Sequence, residues 1–326
     1  MPVWLVIVFA LLFEFANGWT DAPNAIATVV STRVLRPYHA VAMAAVLNLA
    51  GALAVGTAVA ETIAAGIVSP SAVTLETIAA AVLAAAFWAM GAQLFGMPSS
   101  ETHALVASLL GAGFASGGLD ALEWSGTSKV VYSLFTSPPV AFLSGFLLMV
   151  LIYRFFRRAR PRTVRRTFGR GQILSAAFMA FSHGANDAQK AMGVITLALF
   201  LGGHLPDLSV PLWVIVAAAL TMAAGTSVGG WRVIRTIGLK MTKLEPVNGF
   251  AAETAAAAII TGAARFGIPL STTHVIGSSI MGVGATRRLS AVRWGVAGQV
   301  VGTWVLTWPG CMLLGYLLGR IFRAVF

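Results

Sequence analysis

Ten apolar stretches, at roughly 3–32, 38–60, 72–96, 102–116, 130–153, 171–202, 210–231, 249–267, 273–286 and 294–319, take up most of this 326-residue chain. A helix that crosses a bilayer needs about 20 apolar residues and satisfies all its backbone polar groups internally. Most of the chain therefore reads as membrane span. Charged residues make up 10% of it, against about 25% in soluble domains. A soluble enzyme and a disordered chain are excluded. The single cysteine, Cys311, excludes a disulfide scaffold, and no zinc-ligand cluster is visible.

The net charge of +11 has a membrane explanation and does not call for nucleic acid. Loop Lys and Arg fix orientation by staying in the cytoplasm. One strongly hydrophilic segment, RFFRRARPRTVRRTFGR at 154–170, carries eight arginines. It divides the chain into residues 1–153 and 171–326 and is expected to face the cytoplasm. With both termini outside, the cytoplasmic loops hold seventeen Lys/Arg and the external positions three: Lys129, Arg320 and Arg323. The first 16 residues do not read as a signal peptide, because no Lys or Arg precedes Arg33 and Glu14 interrupts the apolar run.

That count requires 72–116 and 249–286 to return to the side they start from, so each is expected to be a helical hairpin. Their turns share a Gly-x-Pro, Gly96-Met97-Pro98 and Gly267-Ile268-Pro269. The two halves are also related in sequence. NGWTDAPNA at 17–25 aligns with HGANDAQKA at 183–191, and FGMPSSETHALVASLLGAG at 95–113 aligns with FGIPLSTTHVIGSSIMGVG at 266–284, with 9 of 19 residues identical in the second pair. The halves make net crossings in opposite directions. The fold class is thus an all-α polytopic membrane protein of two inverted-topology repeats, each with a broken helix and a hairpin. Sites in such architectures lie near the midplane between the repeats.

Polar residues inside the apolar stretches are few, and each costs several kcal/mol unless paired or hydrated. Asp21 and Asp187 are repeat-equivalent. Gly18 and Pro23, with Gly184 opposite, are expected to break the helices and open backbone groups to a cavity. The alternative is a surface loop. The tips Pro98-Ser99-Ser100-Glu101-Thr102 and Pro269-Leu270-Ser271-Thr272-Thr273 place hydroxyls and free amides at helix N-termini, which suit an oxyanion. One hydroxyl per tip is expected to serve as an N-cap.

Other positions carry two readings. His103 and His274 follow the tips as structural histidines or proton carriers; His183, beside Asp187, is the better relay candidate. Lys190 stands where the first half has Asn24. It pairs with Asp187 at i, i+3 or contacts an anion directly. Glu101 beside an anion site is a candidate carrier of a coupling proton. Glu14, Asn48, Glu76, Asn248 and Glu253 read as helix contacts or supporting residues, and Arg265 as an anion ligand or interfacial anchor.

The motifs GWTDAPNA and GANDAQKA resemble the paired GANDxAN-type signatures of the inorganic phosphate transporter (PiT) family, and PSSETH and PLSTTH resemble its hairpin-tip motif. The resemblance covers about 10–320. It departs at Thr20 and Lys190, where the signature has Asn. It implies a non-enzymatic, multi-pass symporter of the cytoplasmic membrane, a homodimer in the lipid bilayer. Its substrate would be inorganic phosphate, alone or as a metal–phosphate complex, driven by protons or sodium without another cofactor. Ser99, Ser100, Thr102, Ser271, Thr272, Thr273 and Lys190 would bind the anion. Asp21, Asn24, Asp187, Asn186, His183 and Glu101 would handle the coupling ion. The SHGANDAQK form is similar to proton-coupled bacterial members. Sulfate transport on the same scaffold, a passive anion channel and an intramembrane enzyme are the rival readings.

Overall fold

Runs of Ala, Leu, Val and Ile offer the backbone no side-chain competitor for its hydrogen bonds, and every apolar stretch becomes helix. The structure, a computed structural model describing residues 1–326, contains twelve α-helices and a single isolated β-bridge, Val68 to Leu122. The first half supplies α1 (Val3–Ser31), α2 (Pro37–Ala54), α3 (Ala58–Gly66), α4 (Leu75–Phe95), α5 (Glu101–Gly117) and α6 (Trp124–Phe156). The second supplies α7 (Pro161–Leu201), α8 (Leu212–Val228), α9 (Trp231–Arg235), α10 (Pro246–Arg265), α11 (Thr272–Ala285) and α12 (Trp294–Val325). By length and composition, six of the helices can each cross a membrane.

Two expectations need correction. The breaks expected at Asp21 and Asp187 are absent: α1 and α7 run unbroken for 29 and 41 residues. Pro23 lies inside α1. A Cβ on Gly230 would stand 2.6 Å from the Pro23 ring and 3.0 Å from the Trp19 carbonyl. The glycine backbone thus packs over the point where the proline removes a helical bond. The broken element lies elsewhere, between α8 and α9, which bend by 61° at Gly229-Gly230. The Arg-rich linker is likewise not a loop. It forms the end of α6 and the first turns of α7, with only 157–160 outside helix.

The helices cross at glycines. A Cβ on Gly184 would lie 2.1 Å from the Asn48 carbonyl, and one on Gly51 2.0 Å from the Phe181 carbonyl, so α2 and α7 touch backbone to backbone. The α1–α8 crossing is built the same way by Gly18 against Met222 and Gly225 against Phe15. Small residues permit such close approach in membrane bundles. The hairpin tips are clamped alike. Gly96 (φ +67°) and Gly267 (φ +65°) take the left-handed turn that a side chain would strain. Their carbonyls accept hydrogen bonds from Thr236 Oγ1 at 2.9 Å and Thr62 Oγ1 at 2.7 Å.

Two hydrophobic cores result. One includes Val6–Phe13 of α1 and Ala188–Leu199 of α7; the other includes Ala25–Val29 of α1 and Phe168–Ala180 of α7. Asn17–Asn24 of α1 and Ser182–Asp187 of α7 fall between the two cores, with Thr28 and Lys190 at their inner edges.

Candidate functional site

Along α1 the buried polar residues Asn17, Thr20, Asp21, Asn24 and Thr28 recur every three or four positions, forming one stripe. On α7, His183, Asn186, Asp187 and Lys190 do the same. Both stripes face the tips of the two hairpins, whose residues Ser99–His103 and Ser271–His274 are also buried.

Asp187 is the hub. Lys190 Nζ lies 3.1 Å from its Oδ2, His183 Nε2 lies 3.3 Å from the same oxygen, and Thr272 Oγ1 donates to it at 3.2 Å. Asn186 Nδ2 donates to Oδ1 at 2.6 Å. Lys190 also donates to Asn17 Oδ1 at 3.3 Å and Thr102 Oγ1 at 3.4 Å. The ammonium therefore pairs with Asp187 and at the same time reaches the first tip. Asp21 has a different environment: Thr273 Oγ1 donates to it at 3.1 Å, and no cation is within bridging distance. Asn24 Nδ2 donates to Thr273 Oγ1 at 2.9 Å and Thr272 Oγ1 at 3.2 Å. Glu101 accepts from Ser99 at 3.0 Å and Thr20 at 3.1 Å. The two tips meet where Thr102 Oγ1 donates to the Leu270 carbonyl at 2.8 Å, a carbonyl that Asn186 also contacts.

Ser100 and Ser271 cap α5 and α11, accepting from the His103 and His274 amides, both at 3.2 Å. Those two hydroxyls are spent on the helix ends; Ser99, Thr102, Thr272 and Thr273 face the charged cluster. His103 and His274 point away from it. Their rings pack on each other with centroids 4.5 Å apart, and His274 stacks on Trp304 at 3.9 Å. Arg265 ends α10 exposed and outside the cluster, and Glu76 sits at the start of α4 bound to the Met1 amino group. Asn48 orients His183 through Nδ1 at 3.2 Å. Asn248 belongs to the capping box of α10.

Sequence reasoning singled out neither Asn17 nor Thr20 as site residues, although the 17, 20, 21, 24, 28 spacing of polar residues on an apolar helix was the available signal. It also missed a separate buried cluster in which Glu253 on α10 accepts from Thr28, Ser175 and Gln172. Those partners come from two other helices, so no sequence spacing links them.

Several polar atoms of the site are buried and unpartnered: Asn17 Nδ2, Asn24 Oδ1, Glu101 Oε2 and Asn186 Oδ1. Buried polar groups normally find partners, and each exception calls for a reason. Here the orphans gather around both carboxylates and an ammonium, offering acceptors to a cation and a donor to an anion. A membrane-length helical bundle with such a two-signed polar cluster buried between its cores has the makings of a membrane transport protein.

The sequence matches the phosphate transporter family over residues 17–315, and the chain belongs to that family. A Rhizobium meliloti protein named "Probable low-affinity inorganic phosphate transporter" is 45% identical over 313 residues, covering 96% of this chain and 94% of its own length. A Bacillus subtilis protein of the same name is 44% identical over 327 residues, covering 99% and 97%. A solved structure described as "The sodium-dependent phosphate transporter" superposes with a TM-score of 0.92 over 99% of each chain at 24% identity, and has the same fold. The family consists of transporters, not enzymes.

Proposed function

We propose that this protein is a secondary active symporter that moves inorganic phosphate across the cytoplasmic membrane, driven by protons. The observation that carries this reading is the set of unpartnered polar atoms around Asp21, Asp187 and Lys190. Phosphate oxygens would take hydrogen bonds from Lys190 and the unpartnered Asn17 Nδ2, and from the Ser99, Thr102, Thr272 and Thr273 hydroxyls as these turn from Glu101, the Leu270 carbonyl, Asp187 and Asp21, with Ser100 and Ser271 holding the two helix N-termini toward them. Asp21, Asn24, Asp187, Asn186, His183 and Glu101 would carry the coupling charge.

The transport cycle follows from the repeats. Elements α1–α6 and α7–α12 come in the same order, and the glycine crossings and tip clamps recur in both halves. Read with the Lys/Arg bias, the halves 1–153 and 171–326 are inverted repeats about a cytoplasmic segment at 154–170, with both termini outside. Alternating access then moves one repeat-derived unit against the other around the tips. A homodimer is the assembly that accompanies this reading.

Sodium is the second reading. Asp21, Thr273 and the free Asn24 Oδ1 are oxygen donors of the kind an alkali cation needs. Against it, Lys190 occupies the equivalent place in the second half. At an effective dielectric near 20, two unit charges about 4 Å apart interact by roughly 4 kcal/mol, enough to expel a weakly held ion. A metal–phosphate complex as cargo would find Asp21, His183 and Asp187, whose ligand atoms lie within 4.8 Å of one another.

Phosphate and sulfate separate on one hydrogen. At neutral pH phosphate can donate to a carboxylate and sulfate cannot. A site built to hydrogen-bond a hydroxyl rejects an analogue lacking it by large factors, on the order of 10⁴. Labelled phosphate uptake should therefore persist under about a hundredfold excess of sulfate and collapse under the same excess of unlabelled phosphate. Loss of uptake to sulfate alone would assign the other anion.

A further inference from the structure

The end of the bundle where α7 begins carries a second concave feature, remote from the central site. A cavity of about 380 Å³ is framed by residues 242–244, the start of α10 and the end of α11 through 293. Four cationic side chains line it: Lys243, Arg287, Arg288 and Arg293. One is neutralised, Arg287 by Glu245 at 2.7 Å. The other three have no acidic partner within bridging distance. The walls are fixed by backbone: Arg293 N donates to the Met241 carbonyl at 2.9 Å, and Thr242 Oγ1 to the Ala291 carbonyl at 3.0 Å.

The first half provides an internal control. A cavity of about 460 Å³ lies at the matching corner, lined by Ser71, Thr74, Glu76, Ser116 and Arg323. There the acid Glu76 binds the Met1 amino group, and Arg323 is spent on the Ser116 carbonyl at 2.6 Å. The corner thus forms without free cations. Orientation rules explain why Lys and Arg collect at one end of the bundle. They do not require three unpaired ones to converge on one cavity.

We propose that this cavity binds the phosphate groups of a multiply charged anion. Arginine forks match phosphate oxygens bidentately, and lysine adds a point charge. Three free cations exceed what one orthophosphate neutralises, so the fitting ligand carries several negative charges. It is a soluble polyphosphate compound or the headgroup of an anionic lipid. Asn248 on α10 and Gly284 on α11 both line the cavity, so an occupant bridges the two arms of the second hairpin at the end opposite its tip. The inference does not depend on which ion drives transport.

The test uses the full chain in phosphatidylcholine nanodiscs with orthophosphate saturating the central site. Sodium tripolyphosphate is titrated by calorimetry. Saturable binding is expected, weakened at least about tenfold in the triple variant Lys243→Gln, Arg288→Gln, Arg293→Gln and unchanged in Arg323→Gln. Phosphate uptake by the triple variant, measured without tripolyphosphate, should match the parent protein and so report correct folding. Nanodiscs containing cardiolipin, whose headgroup carries two phosphates, then separate the sources. If the headgroup is the occupant, tripolyphosphate binding by the parent protein drops to the level of the triple variant. If a soluble compound is, binding survives. No saturable binding in phosphatidylcholine, or equal affinity in the triple variant, would overturn the proposal.

Discussion

Asp187→Asn is expected to abolish phosphate accumulation and to destabilise the folded protein; Asp21→Asn is expected to abolish accumulation alone. The difference lies in their surroundings. Asp187 holds Lys190 at 3.1 Å, and both side chains are buried. An amide keeps the size but leaves the ammonium without a counter-charge. Removing one member of a buried ion pair costs about 3–5 kcal/mol. Asp21 has Thr273 as its hydrogen-bond partner and no bridging cation, so its loss strands no charge. Uptake in proteoliposomes should fall by at least about a hundredfold in both variants, roughly 2.7 kcal/mol of lost function. Thermal unfolding in detergent should separate them. Adding Lys190→Met to Asp187→Asn should restore stability without restoring uptake, because the stranded charge is then gone. Wild-type uptake in either single variant would reduce these acids to structural parts.

A second large effect is expected at a position with no chemistry. Gly184 lies three residues before Asp187, and a Cβ there would stand 2.1 Å from the Asn48 carbonyl and 2.5 Å from its Cα. Backbone cannot yield as a side-chain end can. Gly184→Ala must therefore push α2 and α7 apart, shifting Asp187 and breaking the Asn48–His183 contact. Overpacking of this kind costs about 1–3 kcal/mol or more. The variant should show lower yield of monodisperse protein, an earlier thermal transition and little uptake. Gly262→Ala is the control. Nothing lies within 4 Å of a Cβ there, and its stability should stay within about 0.5 kcal/mol of the parent. Equal behaviour of the two variants would mean that the α2–α7 crossing has room to adjust.

Much of this was legible in the sequence because membrane and symmetry both leave strong marks. Length and hydropathy located the helices, and the duplicated Asp-Ala and Pro-x-Ser-x-Thr-His patterns pointed to the four segments that meet. The details that failed are those set by contacts between distant segments. Pro23 and the paired glycines suggested broken helices, yet α1 and α7 stay continuous because Gly230 packs over the proline and Asn48 fills the space beside Gly184. The bend falls at Gly229-Gly230, one of three Gly-Gly pairs in the chain, all at helix ends, a breaker signal that sequence reasoning passed over. The segment 154–170 reads as a loop, but five of its eight arginines ride on α6 and α7, where charge does not oppose helix outside the bilayer. His103 and His274 were legible as a repeat pair, while their stacking against Trp304 depends on where α12 lies. The Glu253 cluster draws on three helices and left no pattern to find.

The proposed coupling to protons rather than sodium rests on Lys190 standing beside Asp187 where the first half has Asn24. The direct measurement is labelled phosphate uptake into proteoliposomes under separately imposed gradients. An inward proton gradient without sodium should concentrate phosphate inside, and a sodium gradient at fixed, equal pH should add little. Strict dependence on sodium, with no response to the pH gradient, would contradict the account.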